Sequence, residues 1–343
     1  MDKEKVKLAV DQVFRDMAGA MTAGMAFVGT RTGLFRAMQG KGPMSVDEVV
    51  RAAGLQPRYV EEWLKGMAAA GYLEYQGGKY LLSDEHAYFL ASEGSDHFVG
   101  GMWEMLPVLM RTAPQVAEAF AKGGGVRFED FGPACVEALD LLNRGQYEAR
   151  FADYWLKAVP EAVARLAAGG RALDVGCGSG RVCAALAKAF PAAEVVGIDP
   201  DAKSIRRAKA AAPGVRFEAK TTRELERGAG FDLVTICDCI HDLAEPVATL
   251  KEIRSLLKPD GTLFIVEPKA ADRVEDNRNP VAAMFYGFSI FHCLTQSLAR
   301  GGPGLGTCLG PAGTERLARE AGFTRFKQLD LKSQTNLFYS AKP

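Results

Sequence analysis

From Arg171 onward, short apolar runs alternate with helical stretches, and this alternation constrains the fold more than any other feature of the chain. "RALDVG", "EVVGID", "VRFEA", "FDLVTIC" and "TLFIVEP" are near-continuous hydrophobic strands, which need cover on both faces and therefore belong in a parallel sheet flanked by helices. The chain then closes with "FKQLDL" and "NLFYSA", separated only by "KSQT". So short a connection excludes a crossover and requires an antiparallel hairpin. The expectation is an α/β fold with a seven-stranded doubly wound, Rossmann-like sheet whose last strand is antiparallel.

In such a sheet ligands bind outside the carboxyl ends of the strands, so the residues that leave those ends are the candidates for chemistry. The first strand runs into "LDVGCGSG", Leu173 to Gly180. Gly176 and Gly178 let the backbone approach a ligand closely before the next helix begins. A dinucleotide fingerprint would need glycine at position 181, where this chain has Arg181. Asp199 ends the second strand in "VVGIDP", where an acid can accept both hydroxyls of an adenosine ribose. Its alternative role is to cap the helix that begins in "DAKSIRRAKAAA". The fourth strand releases "CDCIHDLAEP", with Asp238, His241 and Asp242. His241 reads as a catalytic base, a metal ligand, or a polar loop or cap residue. Its neighbour Asp242 gives only one adjacent donor, and no second histidine pair supplies the missing ligands, so no metal is expected.

The first hundred residues have a different pattern. "SVDE", Ser45 to Glu48, is a capping box, Gly54 stops the helix after it, and Pro57 suits the first turn of the next. Val60, Trp63, Leu64 and Met67 then form one apolar helix face, and "YLEYQGGKYLLS" reads as a hairpin around Gly77 and Gly78. Two helices followed by a wing describe a winged helix-turn-helix. DNA is a poor partner for it, because residues 1–100 hold 11 basic against 13 acidic side chains and offer few phosphate contacts. The face around Val60, Trp63 and Met67 is expected to meet a partner surface instead. The expected organisation is a winged-helix module over 1–100 for dimerisation and substrate covering, a helical linker over 101–160, and a cofactor-binding domain over 161–343.

Together these motifs make residues 160–343 resemble a class I S-adenosylmethionine-dependent methyltransferase. "LDVGCGSG" is similar to its motif I, "GID" to its ribose acid and "LLKPDGTLFIVEP" to its fifth-strand motif. With the winged helix in front, almost the whole chain resembles bacterial small-molecule methyltransferases and plant-type O-methyltransferases. The resemblance implies S-adenosylmethionine as cofactor and a homodimer formed through the N-terminal half; Asp174 and Asp238 then suit the methionine end, whose ammonium favours a nearby carboxylate, or else either ties down a backbone turn. Many relatives carry an acid after the third strand, near the adenine; here Thr221 and Thr222 stand at that place. The His241–Asp242 pair resembles the "HD" segment of the plant-type enzymes, which implies a hydroxyl acceptor with His241 as base. Related enzymes of this plan methylate sulfur, as on methylthiohydroxybutyrate in dimethylsulfoniopropionate synthesis. A regulator that binds the cofactor without catalysis is a further alternative.

For the acceptor, the insertion Asn279–Thr307 supplies Tyr286, Phe288, Phe291 and His292, while Tyr147, Tyr154 and Trp155, just upstream of the sheet, are placed to close over the cofactor, Tyr154 also reaching the substrate. Either group can line a pocket or simply pack. The uncharged stretch 279–298 contains Ser289, His292, Thr295, Gln296 and Ser297, too polar for a spanning helix. Equal numbers of acidic and basic residues (42 each), unpaired cysteines and no apolar leader at the N-terminus point to a soluble cytoplasmic protein without nucleic-acid or membrane partners.

Overall fold

The structure, a computed structural model, describes residues 1–343. The chain divides into two compact units, one of residues 1–108 with 137–145 and the other of 109–136 with 146–343.

The first unit is built as the punctuation in its sequence dictates. Ser45 Oγ accepts the Glu48 amide at 3.3 Å while Glu48 Oε2 accepts the Ser45 amide at 2.7 Å, closing the capping box on the helix Val46–Ala53. Gly54 ends that helix in the left-handed region, with φ of 67°. Strands β1 (Glu74–Gln76) and β2 (Lys79–Leu81) pair antiparallel around Gly77 and Gly78, both at positive φ. The helix Pro57–Ala69 buries Val60, Trp63, Leu64 and Met67 in the unit's own core. Trp63 lies edge-on to Phe35 and donates its indole N–H to the Met25 carbonyl at 2.8 Å. This corrects the expectation that the face needs a partner, because helix Lys3–Thr32 and Leu34–Met38 already cover it. The unpartnered apolar surface belongs to Lys3–Thr32 instead, where Val6, Val10, Val13, Phe14, Met17 and Met21 are all exposed. On the would-be recognition helix, Arg58 pairs with Glu62 at 2.5 Å and Lys65 with Glu61 at 2.6 Å, so its basic groups are neutralised locally.

In the second unit, strands β3 (Arg171–Val175), β4 (Glu194–Ile198), β5 (Arg216–Glu218), β6 (Phe231–Cys237), β7 (Leu257–Pro268), β8 (Arg325–Leu329) and β9 (Asn336–Lys342) form one sheet in the order β5-β4-β3-β6-β7-β9-β8. Only β9 pairs antiparallel with its neighbours, as the short closing connection requires. Two apolar layers cover the sheet. One contains Phe151, Trp155, Leu186 and Phe338; the other contains Ile198, Ile236, Ile253 and Phe323. Burial on both faces explains why β6 reads as six apolar or small residues and a single charge, Asp232. Strand order reverses between β3 and β6, so the loops after these two strands border the crevice where this architecture binds ligands.

Residues 101–160 do not behave as a linker. Their segment 109–136 and the stretch from 146 pack within the sheet unit, and Phe151 and Trp155 are fully buried there, with Trp155 centred 4.8 Å from Phe338. The stretch Pro280–Ala299 is long and apolar enough by composition to cross a membrane. It folds as helix Pro280–Phe288, a π turn Ser289–Cys293 and helix Leu294–Ala299, and it buries its polar side: Ser289, His292, Thr295, Gln296 and Ser297. Thr295 Oγ1 accepts the Val126 amide at 2.9 Å and Ser297 Oγ donates to the Leu243 carbonyl at 3.1 Å. Those polar groups are anchored inside the protein.

Candidate active site

The glycine loop after β3 is shaped by contacts that only glycine permits. At Gly176 (φ 71°) a Cβ would lie 2.7 Å from Cys239 Sγ, so the loop presses directly on the segment that leaves β6. At Gly180 (φ 80°) it would lie 2.7 Å from the Phe217 ring. Gly178 (φ 50°) has nothing within 4 Å of that position and faces open space, as a backbone meant to meet a ligand should. Its amide donates to Asp199 Oδ2 at 3.0 Å, while Asp199 Oδ1 accepts the Asp201 amide at 2.8 Å. The helix cap that Asp199 was a candidate for is supplied by Asp201, whose carboxylate accepts the Ser204 amide. Asp199 is thereby fixed across the loop, with a lone pair left on each oxygen. Burial raises its pKa against the two backbone bonds.

Asp174 is buried and Asp238 half-buried. Asp174 Oδ1 accepts from Thr235 Oγ1 at 2.6 Å and Oδ2 from Cys183 Sγ at 3.7 Å, and burial pushes its pKa to about 7. Asp238 is the chain's one non-glycine residue at positive φ, 49°, a conformation that costs energy and collects at functional sites. Its Oδ2 accepts from the Tyr147 hydroxyl at 2.6 Å and its Oδ1 from Asn336 Nδ2 at 3.2 Å; burial pushes its pKa to about 6. Thr221 donates to Glu224 at 2.9 Å and Thr222 to Glu252, so both hydroxyl protons are engaged and only acceptor lone pairs remain for an adenine edge.

His241 emerges from β6 in a single 3₁₀ turn, Ile240–Asp242, and is buried. Glu267, at the end of neighbouring β7, governs this turn. Its Oε1 accepts the Cys239 and Ile240 amides at 3.3 and 3.0 Å, and its Oε2 lies 2.5 Å from His241 Nδ1. That contact assigns the Nδ1 proton to Glu267 and leaves Nε2 as the ring atom available for chemistry, 3.4 Å from Asp242 Oδ1. Burial opposes a charged imidazole here, but the carboxylates of Glu267 and Asp242 outweigh it and hold the His241 pKa well above its ordinary value.

The expected acceptor residues separate. Tyr154 and Tyr286 are exposed. His292 is buried against Phe131, centroid to centroid 4.9 Å, and burial lowers its pKa, which keeps it neutral. Beside it Cys293 is buried, and its Sγ, His241 Nε2 and Asp242 Oδ1 draw together. Glu267 and Cys293 are the contributors that sequence reasoning missed, while Tyr147, a candidate for closing over the cofactor, donates its hydroxyl to Asp238. Glu267 was in view, since it ends the "TLFIVEP" strand where an acid leaves the sheet beside His241.

With this geometry fixed, the chain's likeness to known proteins becomes specific. Residues 173–263 match the methyltransferase domain family, and residues 20–92 match the Rv2258c-like winged HTH domain. The chain joins a winged helix-turn-helix domain to a class I methyltransferase domain. Among curated proteins, a ubiquinone biosynthesis O-methyltransferase of Xanthomonas axonopodis pv. citri is 30% identical over 102 residues, 29% of this chain and 43% of that protein. A trans-aconitate 2-methyltransferase of Azoarcus sp. is 32% identical over 129 residues, 37% of this chain and 51% of that protein. The chain thus spans about half the length of these relatives. Solved structures match over their whole length at lower identity. Mitomycin 7-O-methyltransferase MmcR aligns with a TM-score of 0.70 at 16% identity, covering 100% of both chains. Human N-acetylserotonin methyltransferase in complex with SAM aligns at 0.66 and 20%, covering 97% of both. PigF with SAH aligns at 0.73 and 16%, covering 97% of this chain and 99% of that one. The methyltransferase domain and the winged helix together thus share their fold with those enzymes.

Proposed function

We propose that this chain transfers a methyl group from S-adenosylmethionine to a hydroxyl of a small molecule, with His241 taking up the hydroxyl proton. The observation that carries the reading is the pair Glu267–His241: one ring nitrogen is held by a buried carboxylate, and the other, Nε2, lies 3.4 Å from Asp242 Oδ1, which has no hydrogen bond. The cofactor suits the cradle. Gly178 offers open space beside its backbone, Asp199 retains a lone pair on each oxygen for the ribose hydroxyls, and Asp174 and Asp238 place carboxylates near a cationic methionine end. When bound, it supplies an electrophilic methyl group. The protein supplies alignment, exclusion of water and a place for one proton. Glu267 acts through His241 by fixing its tautomer and orientation, and it stabilises the imidazolium that forms. The complexes of N-acetylserotonin methyltransferase with SAM and PigF with SAH support the cofactor, and the O-methyltransferases among the relatives support the oxygen acceptor.

A sulfur acceptor is the second reading, and one observation favours it. Both His241 nitrogens already face carboxylates, Glu267 and Asp242, an arrangement that suits a resting imidazolium. A thioether such as methylthiohydroxybutyrate releases no proton on methylation, so it needs no base; a protonated His241 would then position an acidic acceptor.

His241→Ala separates the two. For a hydroxyl acceptor it lowers turnover by ~10²–10⁴-fold, the usual scale for losing a positioned base, while calorimetry shows S-adenosylhomocysteine affinity nearly intact. Near-normal turnover with the true acceptor removes the base and leaves the sulfur reading. Asp199→Ala tests the cofactor site by itself. Loss of a buried two-oxygen acceptor should cost ~2–4 kcal/mol of binding, and unchanged affinity would place the ribose elsewhere.

A further inference from the structure

We propose that His241 Nε2, Asp242 Oδ1 and Cys293 Sγ form a binding site for a divalent transition metal, Zn²⁺ by the chemistry of its donors. The three atoms all lie within 4.8 Å of one another. They come from two separate elements: the 3₁₀ turn after β6 supplies His241 and Asp242, and the π turn Ser289–Cys293 supplies the thiol. Sequence spacing gave no hint of this, because 51 positions separate Cys293 from Asp242.

Three features prepare the site. His241 is already committed: Glu267 holds Nδ1 at 2.5 Å, leaving Nε2 as the only ring donor. A carboxylate behind a ligating imidazole is the usual outer partner of a bound metal, fixing both tautomer and ring plane. Asp242 Oδ1, buried and without a hydrogen bond, stands 3.4 Å from Nε2 in a contact that satisfies ion-pair distance but not hydrogen-bond alignment. A buried carboxylate oxygen with no donor is costly, and a cation in that gap relieves it. Tetrahedral zinc bonds of ~2.0–2.3 Å set ligand atoms roughly 3.3–3.6 Å apart, so the His241–Asp242 spacing already fits and Cys293 closes by about an ångström. The π turn is the third feature. Such single turns interrupt helices mostly at functional sites, and here the turn brings His292 and Cys293 both to buried positions.

The mixed nitrogen, oxygen and sulfur set selects against Mg²⁺ and Ca²⁺, which take oxygen. Three protein ligands leave a fourth position open. Cys293 binds as thiolate and His241 through a deprotonated Nε2, and each releases a proton to solvent; burial pushes the thiol up to about 11 and the flanking carboxylates hold the imidazole well above its ordinary value, so the metal itself must displace both protons. The coordinated Nε2 lone pair is the one that would accept the acceptor's proton. Metal occupancy and hydroxyl methylation therefore exclude each other, a consequence that rests on the base role proposed above, whereas binding itself does not.

The test uses the full-length protein, stripped with chelator and titrated with Co²⁺ as spectroscopic probe and with Zn²⁺ by calorimetry. One equivalent of Co²⁺ should produce a sulfur-to-cobalt charge-transfer band that Zn²⁺ removes. Cys293→Ser should abolish the band, and Asp242→Asn should weaken Zn²⁺ at least tenfold. Cys308→Ser, which removes another thiol near His241, should leave the band in place. S-adenosylhomocysteine binding by each variant reports that the fold and the cofactor site are intact, independently of metal. No band in the wild type, a band that survives Cys293→Ser, or one lost only with Cys308 overturns the site. Metal binding without any inhibition of methyl transfer instead overturns the base role and leaves the site standing.

Discussion

At the scale of single residues, Asp238 concentrates more constraint than any other position in the crevice. It occupies a left-handed conformation without being glycine, and two side chains, Tyr147 and Asn336, pin its carboxylate. Glu267 and Asp242 surround it with negative charge while His241 offsets them, and burial dominates, lifting its pKa to about 6. Because this value lies above the ordinary ~3.9 of an aspartate, the folded protein holds the proton more tightly than the unfolded chain. Stability from this group is therefore greatest at low pH and declines as pH rises from about 4 through 6. A cationic methionine end has the opposite preference and binds best when Asp238 is ionised. S-adenosylhomocysteine affinity should accordingly rise with pH through about 6 and then level off. Asp238→Asn should bind more weakly at pH 7.5 and lose that part of the pH dependence, as calorimetry at several pH values would show. A wild-type profile that is flat around pH 6, or one that Asp238→Asn leaves unchanged, would remove Asp238 from the methionine end. Asp174, with a pKa raised to about 7, remains in the variant and supplies the internal comparison.

At the scale of elements, legibility followed how locally each feature is encoded. The seven strands were legible because burial on both faces demands continuous apolar runs, and the reversed last strand because four residues allow only a hairpin. The capping box, Gly54 and the wing glycines were legible because each acts within one turn. The shape of the glycine loop and its acid was legible for the same reason: Gly176, Gly178 and Asp199, which we propose hold the cofactor, sit at fixed offsets from strand ends. What stayed hidden depends on distant pairing. Nothing near His241 in sequence announces that Glu267, 26 positions on, fixes its ring, nor that Tyr147 reaches Asp238 across 91 positions. The stretch 280–299 was misleading in a different way, since its apolar residues suggest burial while the structure buries its polar ones. The face of Val60, Trp63 and Met67 was correctly read as apolar, but its cover comes from a helix preceding it in the chain rather than from another molecule.

At the scale of the whole molecule, the helix Lys3–Thr32 carries the inference about assembly. Val6, Val10, Val13, Phe14, Met17 and Met21 fall within a stripe of about 100° at 3.6 residues per turn, and every one of them is exposed, Phe14 at 69% and Val13 at 61%. A regular apolar stripe on a 30-residue helix is costly to leave in water, and a self-complementary copy is the simplest cover for it. We propose homodimerisation through this helix for the N-terminal half, in place of the helix Pro57–Ala69, whose apolar face is filled. Two such helices, each ~45 Å long by the rise of 1.5 Å per residue, can bury an interface of the size that stable dimers need, above ~1,000 Å². Sedimentation of the full-length protein should give twice the chain mass. Val13→Asp combined with Met17→Asp should give a monomer with an unchanged thermal unfolding midpoint for the sheet unit, because neither residue contributes to either core. A wild type that is monomeric at micromolar concentration, or a double variant that remains a dimer, would show that the stripe serves something other than a second copy of this chain. If activity also falls in the monomer while S-adenosylhomocysteine binding is kept, the dimer contributes to the acceptor side of the reaction and not to the cofactor cradle.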